Sequence, residues 1–230
     1  MSKEFIKEIE KGLSTICNKI GFKKKQYYFI KSFNDNVIAT LNFGIVSHKV
    51  KGHIFVDVGV GVAYNDIEKL YTELTNIDKS IFKHTISEQL GYLMPHKNYK
   101  EWDFVENADN SNTFEDLLNC IQTYGFEYFE RMKDFNNLFE AFETRTPGLL
   151  NQARDRYLPI LYSMKGEKRK GIQFIEEAVE RQKKPVDDGK KEFLKKLAGS
   201  GGQVIIGNGV GKVDPEYLKF AENYKAMPST

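Results

Sequence analysis

Hydrophobic and polar residues alternate with a period of two across residues 26–62. Two apolar sets define the alternation: Val37, Ala39, Leu41, Phe43 and Ile45, and then Ile54, Val56, Val58, Val60 and Val62. A period of two is typical of strands that bury one face. The pattern predicts three consecutive antiparallel strands at about residues 26–32, 37–47 and 53–62, since turn residues separate them.

Helical periodicity flanks these strands. Apolar residues recur every three or four positions over residues 3–20 and 65–75, which predicts amphipathic helices. Tyr99, Glu101, Asp103 and Val105 alternate with their neighbours and predict a further strand, and the helical period returns after the polar loop at residues 107–112. We therefore expect an α+β fold, an antiparallel β-meander packed by the N-terminal helix and the helices that follow it.

A Pro-Gly pair at Pro147 and Gly148 is the clearest boundary signal in the chain. Beyond it, the pattern predicts a C-terminal helical hairpin, with helices at residues 149–164 and 167–183. The glycine-rich end is expected to be mobile apart from a short helix near residues 215–224. The predicted division is an α+β domain at 1–145, a helical hairpin extension at 146–198 and a mobile tail at 199–230.

Composition supports a self-sufficient core. Hydrophobic residues make up 40% and aromatic residues 13% of the 230 residues, so the chain is expected to fold without a cofactor. Cys17 and Cys120 are the two cysteines, too few for a disulfide framework or a four-thiolate zinc site. Both are predicted to be buried thiols in helices.

The net charge of +2 conceals a segregation of charge along the chain. Residues 101–145, here called the acidic segment, carry eleven acidic and three basic residues. Such a segment can steer a partner of opposite charge. The side chains predicted to face a protein partner are Glu115, Asp116, Glu127, Glu130 and Glu140.

The lysines at positions 23–25 lie next to Tyr27, Tyr28 and Phe29 in the sequence. Basic side chains beside aromatic ones are typical of surfaces that bind single-stranded nucleic acid. The domain as a whole is not strongly basic, however, and the acidic segment would repel phosphates. Nucleic acid is therefore not a favoured partner.

The candidate catalytic motifs in the sequence do not have the residue spacing that known motifs require. The glycine run at residues 207–212 ends in Gly211 and Lys212, but a phosphate-binding loop would need glycine at Ile206 and serine or threonine at Val213. His48 and His53 flank a predicted turn, and with Asp57 they form the minimum of a metal site. A metal-dependent hydrolase on the β-meander is accordingly the alternative function.

The N-terminus carries charges every few residues, and the chain contains no uninterrupted apolar run of roughly 18 residues. A cytoplasmic location with no membrane partner is the expectation.

Three segments carry a resemblance to a known family. IGFKKK at residues 20–25, VIATLNF at 37–43 and HIFVDVG at 53–59, preceded by a helix, resemble the bacterial DUF4304 domain family. The resemblance covers about residues 3–125 and implies an α+β domain. The family carries no assigned activity and no catalytic residues to transfer.

Together these observations favour a non-enzymatic, cytosolic bacterial protein-binding module. An immunity or defence-associated factor is one form that such a module takes. Oligomeric state and the partner's identity are left open by the sequence.

Overall fold

The computed structural model describes residues 3–76, 84–146, 149–184 and 213–228. The chain forms two compact units: Met1–Lys69 with Lys79–Leu149, and Leu70–Asp78 with Leu150–Thr230. The first unit is a sheet with helices and the second is helical, so the predicted α+β class is confirmed. Residues 199–212 of the predicted mobile tail, together with Pro147 and Gly148, lie outside the described residues.

The sheet is a meander in which every pairing is antiparallel. Its strands are β1 (Lys23–Lys25), β2 (Tyr28–Ser32), β3 (Val37–Val46), β4 (His53–Tyr64), β5 (Ile86–Gln89) and β6 (Trp102–Val105). Strands β1 to β4 are neighbours in chain order, whereas β5 and β6 both pair with β4. The predicted strands are therefore present, but the expected count of three for the first meander was too low.

Strand β1 was missed because it lacks any apolar alternation. Its three lysines are all exposed, and the strand pairs only with β2 among the described strands. Charged side chains on an edge strand discourage pairing with another chain. The three lysines that make β1 hard to predict from its sequence therefore also protect the edge of the sheet from pairing with another chain.

Helices cover one face of the sheet, here called the inner face. The helices of the first unit are α1 (Lys3–Lys19), α2 (Asn65–Thr75), α3 (Leu90–Leu93), α4 (Ser111–Cys120), α5 (Phe126–Met132) and α6 (Phe135–Glu143), with a π-helical turn, Ile121–Gly125, joining α4 to α5. The last residues of α2 belong to the second unit. None of the helices in the described ranges is long and apolar enough to cross a membrane.

Alternation along β4 builds the core. Its even-numbered residues from Ile54 to Val62 lie on the inner face and are at most 1% exposed. Aromatic rings complete the packing: Phe104 contacts Phe114 of α4 with ring centroids 4.7 Å apart, and Phe22 contacts Phe129 of α5 at 5.7 Å. The odd-numbered residues of β4 lie on the opposite face, here called the open face, where Phe55 and Asp57 are half-buried.

The second unit contains α7 (Asn151–Met164), α8 (Lys168–Lys183) and α9 (Pro215–Ala226). Helices α7 and α8 form the predicted hairpin, and Gly166 with φ +75° makes the turn between them. The short helix expected near residues 215–224 is confirmed as α9.

A proline inside α7 is compensated by a tyrosine of α9. Pro159 has no amide hydrogen, so the carbonyl of Asp155 four residues earlier loses its helical donor. The hydroxyl of Tyr217, which is 2% exposed, donates to that carbonyl at 3.2 Å. The Tyr224 hydroxyl donates in turn to the carbonyl of Pro159 at 2.7 Å. Helix α9 therefore replaces, with the Tyr217 hydroxyl, the amide donor that Pro159 lacks.

We predict that Tyr217→Phe lowers the free energy of unfolding by roughly 1–2 kcal/mol, because a buried carbonyl loses its hydrogen bond. In a Pro159→Ala background the helix regains its own donor to Asp155, and the cost of Tyr217→Phe should fall. Urea denaturation of the four proteins of this cycle measures both costs. Equal costs in the two backgrounds would show that the tyrosine does not replace the missing amide.

Candidate functional site

Five polar side chains on the open face form one hydrogen-bonded group, here called the Tyr99 network: Lys49, Asp57, Gln89, Tyr99 and Glu101. The Tyr99 hydroxyl lies 3.1 Å from Asp57 Oδ2 and 3.0 Å from Glu101 Oε1. Gln89 Nε2 donates to Asp57 Oδ1 at 3.2 Å. Lys49 Nζ donates to the two oxygens of Glu101 at 2.7 and 2.6 Å. The network therefore links β4, β5 and the segment before β6.

Strand pairing places Asp57 at the centre of the network. Asp57 lies opposite Gly44 in the β3–β4 ladder. A Cβ atom at Gly44 would lie 2.5 Å from Asp57 Oδ2. The carboxylate therefore occupies the space beside strand β3 that a side chain at position 44 would fill. The Asp57 side chain is thereby directed along the open face towards its partners.

Residues 99–102, which lead into β6 and include its first residue, divide their side chains between the two faces. Tyr99 and Glu101 reach the open face and join the network. Lys100 Nζ and Trp102 Nε1 instead donate to Asp116 of α4, at 2.9 and 2.7 Å. The alternation of side chains along residues 99–102 therefore places Tyr99 and Glu101 in the Tyr99 network and Lys100 and Trp102 in contact with α4.

The network carries more negative charge than its own cation balances. A phenol hydroxyl has one proton, so Tyr99 can donate to only one of its two carboxylates at a time. Burial raises the pKa of Tyr99, and the hydrogen bond to Glu101 and the charge of Asp57 raise it further, so the tyrosine is neutral at pH 7. Among the described residues, the ammonium of Lys49 is the one cation bonded to the group. The site is therefore suited to a cationic partner group.

Aromatic and acidic side chains border the network. The Phe55 ring is half-buried, lies 5.4 Å from Lys49 Nζ and stacks on the ring of His53. His53 Nδ1 lies 2.9 Å from Asp103 Oδ1. Tyr99 itself is 48% exposed. The network together with His53, Phe55 and Asp103 is called the Tyr99 patch below.

The proposed metal ligands are not brought together. His53 and Asp57 stand four residues apart on β4, which separates them by about 13 Å along an extended strand. Each is bonded to other side chains, His53 to Asp103 and Asp57 to Gln89 and Tyr99. His48 is exposed in the loop between β3 and β4. Within the described ranges, no three histidine, cysteine, aspartate or glutamate side chains form a cluster that could hold a metal ion.

The five acidic residues predicted to face a partner are all exposed, but they are spread over three helices. They are Glu115 and Asp116 on α4, Glu127 and Glu130 on α5, and Glu140 on α6. Glu130 pairs with Lys133, and Glu115 borders a groove between α1 and α4. Their role as a binding surface stays a prediction.

Asp116 has a structural role that the sequence did not indicate. The hydrogen bond from Lys100 is the main cause that lowers the pKa of Asp116, and Trp102 contributes to the same effect. Because the carboxylate holds the segment before β6 against α4, Asp116 is only partly available to a partner.

The two cysteines are buried, as predicted. Burial raises the pKa of Cys17 to about 12 and also raises that of Cys120. Both thiols are therefore protonated at pH 7 and unsuited to nucleophilic chemistry. The glycine run at residues 207–212 lies outside the described residues.

Comparisons with protein-family models, with curated proteins and with solved structures found no match. The resemblance to the DUF4304 domain family stays a prediction.

We predict that Asp57→Asn lowers the pKa of Tyr99, because it removes one carboxylate charge beside the phenol. Burial and Glu101 should still keep that pKa above the ordinary value for tyrosine. An NMR titration that follows the ¹³Cζ signal of Tyr99 at alkaline pH measures this shift. Asp103→Asn is the matched control, since it removes the same charge on the same face without contacting Tyr99. An unchanged pKa in Asp57→Asn, or an equal shift in the control, would contradict the described geometry.

Proposed function

We propose that the chain is a non-enzymatic protein-binding module of the bacterial cytosol and that it binds its partner through the Tyr99 patch. The observation that carries the proposal is an exposed tyrosine whose hydroxyl is held between two carboxylates. The cytosolic and bacterial parts of the proposal rest on the sequence pattern and on the family resemblance.

Tyr99 has the properties of an anchor residue. The residue is 48% exposed, yet its hydroxyl is hydrogen-bonded to side chains of the sheet and of the segment that leads into β6. Tyrosine is enriched among the residues that contribute most to protein interfaces. A side chain that is already ordered loses little rotamer entropy on binding, so its buried area contributes more to the affinity.

Charge indicates the chemistry of the partner. Asp57 and Glu101 bond the Tyr99 hydroxyl and Asp103 lies in the same patch beside His53, while Lys49 and His53 are the basic residues of the patch. The wider acidic segment has the same sign. A partner with a basic surface would be steered to this face and would pair with its carboxylates. The predicted acidic residues of the helices would then act at longer range rather than as the central contacts.

An immunity or defence-associated factor is the specific form of this proposal that we favour. In that form, the basic partner is the protein whose activity the module blocks. An acidic face built on a β-sheet suits such a role, because a blocking module has to bind its target and needs no chemistry of its own.

We expect Tyr99→Ala to weaken partner binding by roughly 30-fold or more, as loss of an anchor residue typically does. The test is affinity purification of tagged full-length protein from its host at low salt, followed by titration of the recovered partner against each variant. Tyr27→Ala is the matched control, because Tyr27 is 91% exposed at the β1–β2 turn. Tyr99→Phe keeps the ring and should lose less affinity than Tyr99→Ala.

A protein recovered as a lone monomer, or a partner that binds Tyr99→Ala as tightly as the wild type, would contradict the proposal. Metal analysis of the same eluate tests the hydrolase alternative. Bound metal that is lost on Asp57→Ala would favour that alternative.

A further inference from the structure

A cavity of about 630 Å³ lies in the first unit, bordered by β5, α3 and α5. This volume falls within the range of about 300–1,000 Å³ that is usual for sites that bind small molecules. The cavity is separate from the Tyr99 patch, because Glu88 and Gln89 are consecutive residues of β5 and lie on opposite faces. Glu88 lines the cavity, whereas Gln89 bonds Asp57.

The cavity contains a buried tyrosine whose hydroxyl has no hydrogen-bond partner in the part of the chain that the structure describes. Tyr128 of α5 is 5% exposed and lines the cavity. Buried phenol hydroxyls ordinarily find a partner. The Tyr128 hydroxyl bonds to no described residue, and it is not one of the fully buried polar atoms that lack a partner, so it opens to the cavity and is available to donate to a group that enters it.

Two cations also line the cavity. Lys97 and Arg131 each lack an acidic partner within the described ranges, and the guanidinium of Arg131 lies 5.8 Å from the centre of the Tyr128 ring. Glu88 is the acid in the lining, and the amide of Gln89 donates to one of its oxygens at 2.8 Å. Burial raises the pKa of Glu88, so it opposes an incoming anion less than an exposed glutamate would.

The rest of the lining is mainly apolar. Ile86 and Met132 are 5% and 3% exposed, and Leu93 of α3 is half-buried. A ligand with a hydrocarbon body would lie against these side chains and would itself be removed from water, which favours binding. The cavity therefore pairs an apolar wall with three hydrogen-bond donors.

We propose that this cavity binds a small organic acid in which one carboxylate is carried on an apolar body. Arg131, Lys97 and the Tyr128 hydroxyl bind the carboxylate, with Arg131 as the main partner because its planar guanidinium matches a carboxylate in two hydrogen bonds. The apolar body lies against Ile86, Leu93 and Met132. This site is independent of the proposed protein-binding surface, and neither depends on the other.

Octanoate is the probe for this site, titrated into ¹⁵N-labelled full-length protein and followed by NMR. We expect saturable shifts of the amides of residues 86–97 and 128–132. Octanol has a similar body without the charge, and acetate has the charge without the body, so both should bind more weakly than octanoate. Arg131→Gln should weaken octanoate binding roughly tenfold or more, since a charge-assisted hydrogen bond is lost.

Lys133→Gln is the matched control, because it removes the same charge two residues away and outside the cavity lining. It should bind octanoate as the wild type does, and Tyr128→Phe should bind it less tightly. Absence of saturable shifts at these residues in the wild type would overturn the proposal. So would equal losses of affinity in Arg131→Gln and Lys133→Gln.

Discussion

The pairing of β3 with β4 is the constraint on which the rest of the first unit depends. Ten residue pairs, from Val37 with Tyr64 to Val46 with Phe55, join these strands in one continuous antiparallel register. Because side chains alternate along a strand, this register assigns the valines of β4 to the inner face and Phe55 and Asp57 to the open face. A shift of one residue would place Asp57 in the core and the valines in water.

The length of β4 also explains where the Tyr99 network forms. One part of β4, His53 to Val56, pairs with β6, and another, Gly59 to Val62, pairs with β5. Asp57 lies between these two pairings, at the point where β5 ends in Gln89 and the chain approaches β6 through Tyr99 and Glu101. Two separate parts of the chain therefore place polar side chains around the Asp57 carboxylate, and the opposing Gly44 leaves space for it.

Elements whose structure is local and periodic were predictable from the sequence. The alternation along β3 and β4 and the helical period of α1, α7 and α8 predicted these elements closely. Two strands were not predicted: β1, whose lysines carry no apolar signal, and β5, whose four residues contain one apolar side chain, Ile86. The site was not predictable because the bond between Tyr99 and Asp57 joins residues 42 positions apart. The alternation of residues 99–105 was visible in the sequence, but only the pairing of β6 with β4 shows which side chains meet Asp57.

Whether the open face or the acidic helices contact a partner is tested most directly by photo-crosslinking in the host cell. The photoreactive amino acid benzoylphenylalanine is placed at position 99, at position 27 or at position 127, in place of Tyr99, Tyr27 or Glu127. Our expectation is a crosslinked protein of one size from position 99 and none from position 27. Crosslinking from position 127 alone would contradict it and would assign the interface to the acidic segment.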